Sequence, residues 1–301
     1  MKWALYIPYR NNIGNLHGDL KEIITKIPAH ELNTIKELFG EINFNQLYFG
    51  QEFCERILPK KKDIIDALNF AHSNNMQFTF ITPYVTETGL IKLQQLFIEL
   101  VKIKSDCEIV INDWGVLYLI FNEFPSFTPI LGRLLNKMWR DPRIKSYLKG
   151  KNSDKILKTY QGCGLAAPGM KKLLNKFNIK RIEIDNLIHG VNENISDWGY
   201  QISMYVPYGC ITTGRMCILG SWGLEKKDKF KATSKFCSQQ CRFYSLNLYD
   251  QNKEVKNTKD WEIIQKGNTI FYKQLEPMLK NGLTQAGSLG VDRIIYQFDP
   301  I

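Results

Sequence analysis

The residues of this 301-residue chain best suited to chemistry are its seven cysteines, at positions 54, 107, 163, 210, 217, 237 and 241. Four of them share a 32-residue window: six residues separate Cys210 from Cys217, nineteen separate Cys217 from Cys237, and three separate Cys237 from Cys241. Thiolate is a soft ligand, so four in one window can surround a single metal centre. Structural zinc sites favour short gaps inside each cysteine pair, which suits Cys237 and Cys241 but not the six-residue gap. An iron–sulfur cluster is larger and accepts wider, irregular spacing. Spacing alone leaves a 4Fe–4S cluster, zinc and unrelated thiols open. Cys107 and Cys163 read as packing residues or inert thiols.

Hydrolytic machinery is hard to find. There is no His-Glu-x-x-His zinc helix and no Gly-x-Ser-x-Gly elbow, and the four histidines (17, 30, 72, 189) are scattered. His189, shortly after Asp185-Asn186, is the one with a route to a site. Asp113 and Asp185 are the candidate catalytic carboxylates, as a general base or as binders of a polar substrate. Capping the following helix would account for either equally well. Gly287-Ser-Leu-Gly290 reads as a turn. Lys226, Lys227, Lys229, Lys231 and Lys235 lie between Cys217 and Cys237. They make a solvated loop, or they offset a negative cluster and draw in an anionic substrate or an RNA backbone. Trp222, Phe236, Phe243 and Tyr244 offer rings for stacking bases, and core packing explains them too.

The elements that must position these residues alternate. Runs rich in aromatic and branched residues occur at Trp3–Tyr9, Gln46–Gly50, Gln77–Thr82, Glu108–Asn112, Phe127–Leu131, Lys180–Ile184, Ile202–Val206 and Arg293–Phe298. Between them lie stretches with helical spacing, including Gly18–Phe39 (interrupted by Pro28), Lys61–His72, Leu90–Ile103 and Met170–Phe177. Strands separated by helices imply right-handed crossovers and a parallel sheet. Eight strands are the number that a closed (β/α)8 TIM-type barrel needs; a doubly wound open sheet is the rival. A barrel carries its chemistry at the C-terminal ends of its strands. Polar residues collect there: Arg10, Asn11, Gln51, Glu52, Tyr84, Asn112, Asp113, Asp185, Asn186 and Tyr208. The expectation is one barrel domain over residues 1–301, with insertions at about 138–162 and 220–260, the second holding most of the cysteines near the C-terminal end of the barrel.

Composition bounds the rest. With 44% hydrophobic and 12% aromatic residues the chain can bury a core, which excludes a disordered chain. No run approaches the ~18 apolar residues a membrane span requires, and the first ten residues read as a strand rather than a signal peptide. A cytoplasmic protein with reduced cysteines follows as the expectation. A net charge of +10 permits anionic partners without naming one.

The run Tyr208-Gly209-Cys210 through Cys217, followed by Cys237-Ser-Gln-Gln-Cys241-Arg242, resembles the cysteine signature of peptidase family U-32. That group includes collagenase-like proteins, the UbiU and UbiV pair of anaerobic ubiquinone synthesis, and RNA-hydroxylation proteins. Gly209-Cys210, Gly214-Arg215, Cys217 and the Cys-x₃-Cys pair match it; Met216 departs from it, since the family has Arg and Cys adjacent. Leu47–Gly50 and Ile111–Gly115 resemble the family's second and fourth strands. The resemblance implies a TIM-type barrel and a 4Fe–4S cluster. It also implies oxygen-independent hydroxylation or other redox work on an aromatic, quinone-precursor or RNA-base substrate, and a related partner subunit. A peptidase, hydrolase or binding module whose cysteines hold a purely structural centre, with zinc or a cluster, is the alternative. In UbiV-like members one ligand comes from just after the second strand, the place of Cys54 here. Five cysteines then compete for four positions, and the expected set is Cys210, Cys217, Cys237 and Cys241, with Cys54 as the substitute. A fully cysteine-ligated cluster has no open metal position, which favours electron transfer or structure over Lewis-acid catalysis.

Overall fold

The computed structural model describes residues 1–9, 20–144, 153–191, 193–229, 237–248 and 259–301. In chain order, β1 (Lys2–Ile7) is followed by α1 (Leu20–Thr25), α2 (Ala29–Phe39), β2 (Phe44–Gly50) and α3 (Lys61–Ser73). Next come β3 (Gln77–Ile81), α4 (Glu87–Ile103), β4 (Glu108–Ile111), α5 (Trp114–Glu123) and β5 (Thr128–Leu131). Then follow α6 (Ser153–Gln161), α7 (Pro168–Lys176), β6 (Arg181–Asp185) and β7 (Gln201–Val206). An insertion supplies β8 (Tyr208–Thr213), β9 (Leu246–Asn247), β10 (Trp261–Lys266) and β11 (Thr269–Gln274), and α8 (Glu276–Ala286) leads into β12 (Val291–Gln297).

Eight strands close into one parallel barrel, β1-β12-β7-β6-β5-β4-β3-β2, with β1 pairing β2 on one side and β12 on the other. The open-sheet rival is thereby excluded. Each expected strand is present, with ends shifted by a few residues. The alternation that builds the barrel is visible in β1. Ala4 and Tyr6 face the barrel interior with Tyr48, Ile81, Val110, Ile130, Tyr205 and Ile295, while Trp3, Leu5 and Ile7 pack outward against the helices. Each large side chain so buried contributes about 1.5–3 kcal/mol. Polar groups occupy the N-terminal end of the interior. There Arg293 Nη1 donates to Glu108 Oε2 and to Tyr48 OH, both at 2.8 Å, and Gln46 Nε2 donates to Thr79 Oγ1 at 2.7 Å.

The insertion begins earlier than the expected residue 220 and is not irregular throughout. Tyr208–Thr213, just after the barrel strand β7, is the first strand of a four-stranded antiparallel sheet ordered β8-β11-β10-β9. β10 and β11 pair from Trp261↔Gln274 to Lys266↔Thr269, joined by the two-residue turn Gly267-Asn268. Gly267 has φ +62°, the conformation such a turn demands of its first residue. Of the residues marked out from sequence, Arg10, Asn11, His17, Lys231, Lys235 and Phe236 lie outside the described residues, as do parts of both expected insertions. Among the described residues, no helix is long and apolar enough to cross a membrane.

Candidate metal centre

The C-terminal mouth of the barrel is closed by an arginine that the sequence reading did not single out. Arg133, two residues beyond β5, is fully buried. Its Nε and Nη2 donate to the two Glu52 carboxylate oxygens at 2.7 and 2.8 Å, and its Nη1 donates to Asp185 Oδ1 at 2.7 Å and to the Tyr208 carbonyl at 3.0 Å. Nη2 also donates to Gln297 Oε1 at 3.1 Å, and the guanidinium carbon stands 3.8 Å from the Tyr205 ring centroid. Burial works against this charge, but the Glu52 and Asp185 carboxylates outweigh it and hold the guanidinium protonated. Residues on β6, β7, β8 and β12 and just after β2 and β5 are thus tied into one plug. Gly50, at φ +128°, permits the chain to turn there: a Cβ would sit 2.3 Å from the Ile81 carbonyl oxygen.

Both candidate carboxylates are committed to structural contacts. Asp185 is fully buried, with Oδ1 on Arg133, Oδ2 paired to Arg140 Nε at 2.8 Å, and Oδ1 also accepting the Cys210 N–H at 3.2 Å. Asp113 is the N-cap of α5: its Oδ1 accepts from Gly115 N at 2.7 Å and Val116 N at 3.4 Å, and its Oδ2 accepts from Val85 N at 3.2 Å. Helix capping, the competing reading of Asp113, is what its oxygens do. His189 is buried, and burial lowers its pKa, favouring the neutral ring.

Above the plug lies a cavity of about 530 Å³, within the roughly 300–1,000 Å³ range of cofactor and small-molecule sites. Cys54, Cys217, Cys237 and Cys241 all line it, with Arg215, Tyr84 and Asn268 beside them. Cys210 does not line it. It sits on β8 with its amide bonded to Asp185, on the barrel side of the insertion. The electrostatic surroundings separate the two groups. Burial pushes the Cys241 thiol up to about 12, and the neighbours adding to it are Cys54, Cys217 and Cys237. Burial also pushes Cys54 up to about 11, opposed by the Arg56 amide and reinforced by Cys237 and Cys217. Cys210 is likewise raised to about 12 by burial, but the charges acting on it are those of Arg140, Arg133, Asp185 and Glu52. Cys54 thus lines the cavity with three of the expected ligands, whereas Cys210 does not line it, although it packs in the same buried cluster as Cys241.

Short polar links hold the cysteine loops. Gly220 N–H donates to Cys217 Sγ at 3.1 Å. Gln239, left-handed at φ +56° between Cys237 and Cys241, donates its amide to the Arg56 carbonyl at 3.1 Å, next to the Cys54 loop. A Cβ on Gly220 would come within 3.3 Å of Cys217 Sγ and 3.9 Å of Cys237 Sγ, so glycine gives these sulfurs room. Among the described residues, no group of three or more His, Cys, Asp and Glu side chains has the spacing to hold one metal ion. Tetrahedral zinc would bring its sulfurs to within about 3.8 Å of one another, whereas a polynuclear cluster accepts them further apart. Four cysteines lining one cavity are a donor set of the thiolate type that either centre uses.

Met216, Ile218 and Trp222 line a second, adjoining pocket together with Cys217. Trp222, Phe243 and Tyr244 are exposed, as are Met216 and Ile218, so core packing does not explain these rings.

No family model matches the chain, and no curated protein is similar to it. A solved structure described as a U32 peptidase is similar over 99% of this chain and 92% of that one, at 9% identity and a TM-score of 0.43. The barrel assignment rests on the strand pairings themselves.

Proposed function

We propose that Cys54, Cys217, Cys237 and Cys241 hold a 4Fe–4S cluster at the mouth of the barrel, and that the chain is an oxidoreductase similar to the oxygen-independent hydroxylases that resemble it. The observation that carries this reading is the convergence on one cavity of four cysteines from two connections, one after β2 and one between β8 and β9. When bound, such a cluster supplies one-electron transfer. The chain's own contribution is positional. The barrel offers the Cys54 loop, the insertion offers the other three thiols, and the Gly220 amide gives Cys217 a hydrogen bond that favours its thiolate. Four cysteines would fill every iron position, which favours an electron-transfer role. Exposed Trp222, Phe243 and Tyr244, with Lys226, Lys227 and Lys229 nearby, offer stacking faces and positive charge to an aromatic or anionic substrate, an RNA base among them.

The test is anaerobic purification followed by iron, sulfide and zinc analysis and absorption spectroscopy. About four irons and four sulfides per chain, with a broad visible absorption bleached by dithionite, support the proposal. One zinc with no sulfide overturns it and leaves the cysteines as a structural staple of a hydrolase or binding module.

A further inference from the structure

We propose that Asn268 is a positioning residue that sets the spacing between Cys54 and Cys217 by clamping their two loops together. The inference rests on the cysteine set proposed above. Asn268 is the second residue of the β10–β11 turn and lines the cavity itself. Its side-chain amide nitrogen lies 2.7 Å from the Phe53 carbonyl, immediately before Cys54, and 2.7 Å from the Gly214 carbonyl, three residues before Cys217. Tyr84 OH lies 2.8 Å from the same nitrogen, so its two N–H groups are shared among three acceptors. The tyrosine hydroxyl in turn donates to the Gly214 carbonyl at 2.6 Å, so the two residues close one hydrogen-bonded unit across three loops. The Gly214 amide returns a bond to the Asn268 backbone carbonyl at 3.2 Å.

The loops so joined are far apart in sequence and come from different units. Phe53 and Cys54 follow β2 of the barrel; Gly214 and Cys217 follow β8 of the insertion. Neither is covalently fixed relative to the other, since all the cysteines are free. The amide therefore joins the carbonyl just before Cys54 to one three residues before Cys217, and so ties the two loops that carry these donors. The neighbouring Gly267 brings the turn against the third: a Cβ there would meet Cys241 Cβ at 3.2 Å. Carbonyl oxygens need a donor, and only the amide form of this side chain supplies one. Aspartate has the same shape but would set a carboxylate against two carbonyls.

The test compares Asn268→Asp and Asn268→Ala with the parent protein in two measurements. In metal-depleted, reduced protein, alkylation by iodoacetamide is followed cysteine by cysteine by mass spectrometry. The clamp predicts several-fold faster modification of Cys54 and Cys217 in both variants, with Cys163, whose Sγ bonds the Asn136 carbonyl and which does not line the cavity, unchanged and the melting temperature within a few degrees of the parent. Equal rates at Cys54 and Cys217 overturn the proposal, as does a uniform acceleration that includes Cys163, which would mark general loosening. In anaerobically purified protein, the rate of iron loss to a chelator is measured; the variants are expected to lose iron several-fold faster, and parent-like loss contradicts the clamp. Should the parent contain no iron or sulfide, the cluster reading fails while the alkylation comparison still judges the clamp. Asn268→Ala covers the case in which the introduced carboxylate prevents folding.

Discussion

The Arg133 guanidinium lies against the Glu52 carboxylate through two hydrogen bonds, Nε to Oε1 at 2.7 Å and Nη2 to Oε2 at 2.8 Å, with both side chains fully buried. Glu52 stands two residues before Cys54, so the same pair that plugs the barrel fixes the root of the cysteine loop. Removing one partner of such a pair leaves an uncompensated charge. Arg133→Met is expected to cost about 3–5 kcal/mol, read from urea unfolding. Combining it with Glu52→Gln should cost less than the sum of the two single changes. Additive costs would show that the pair is not coupled.

Glu183 gives the barrel interior a pH dependence. Burial pushes its carboxyl up to about 8, with the Glu52 charge adding to the shift, while Tyr205 OH donates to Oε2 at 2.8 Å. The folded state therefore holds a proton that the unfolded chain releases near its ordinary value of about 4.3. The stability from this group is fully present below that value and is lost as pH rises through about 8. Urea unfolding of Glu183→Gln between pH 5 and 8 should show a shallower decline with pH than the parent. Parallel curves would contradict the assignment.

Asp113 is expected to act as a helix cap and not as a base. Asp113→Ala should cost about 0.5–2 kcal/mol of stability and leave the iron and sulfide content of purified protein unchanged. Asp113→Asn, which keeps an accepting oxygen, should recover most of that loss. A variant of parental stability that lost its activity would restore the catalytic reading.

The barrel was legible because each of its strands is an aromatic or branched run closed by a polar or glycine turn, as in Phe44–Gly50 and Gln77–Ile81. The β10–β11 hairpin was legible in principle: Gly267-Asn268 between Trp261–Lys266 and Thr269–Gln274 is a two-residue turn signal. It was passed over because it follows a stretch without period. Arg133 was not legible, since an arginine in a polar loop is ordinarily exposed. Its burial depends on partners at positions 52, 185 and 297 that only the closed barrel brings together. The same applies to the ligand set. Linear spacing favours Cys210, seven positions before Cys217, over Cys54, but spacing along the chain does not say which thiols line the cavity.

The most direct test of the account sets two single variants side by side. Cys54→Ala and Cys210→Ala are purified anaerobically, and iron and sulfide per chain are compared with the parent. The account predicts that Cys54→Ala loses the cluster or retains only a small fraction of it, while Cys210→Ala keeps the parental content. Loss of iron in Cys210→Ala with full retention in Cys54→Ala would contradict it.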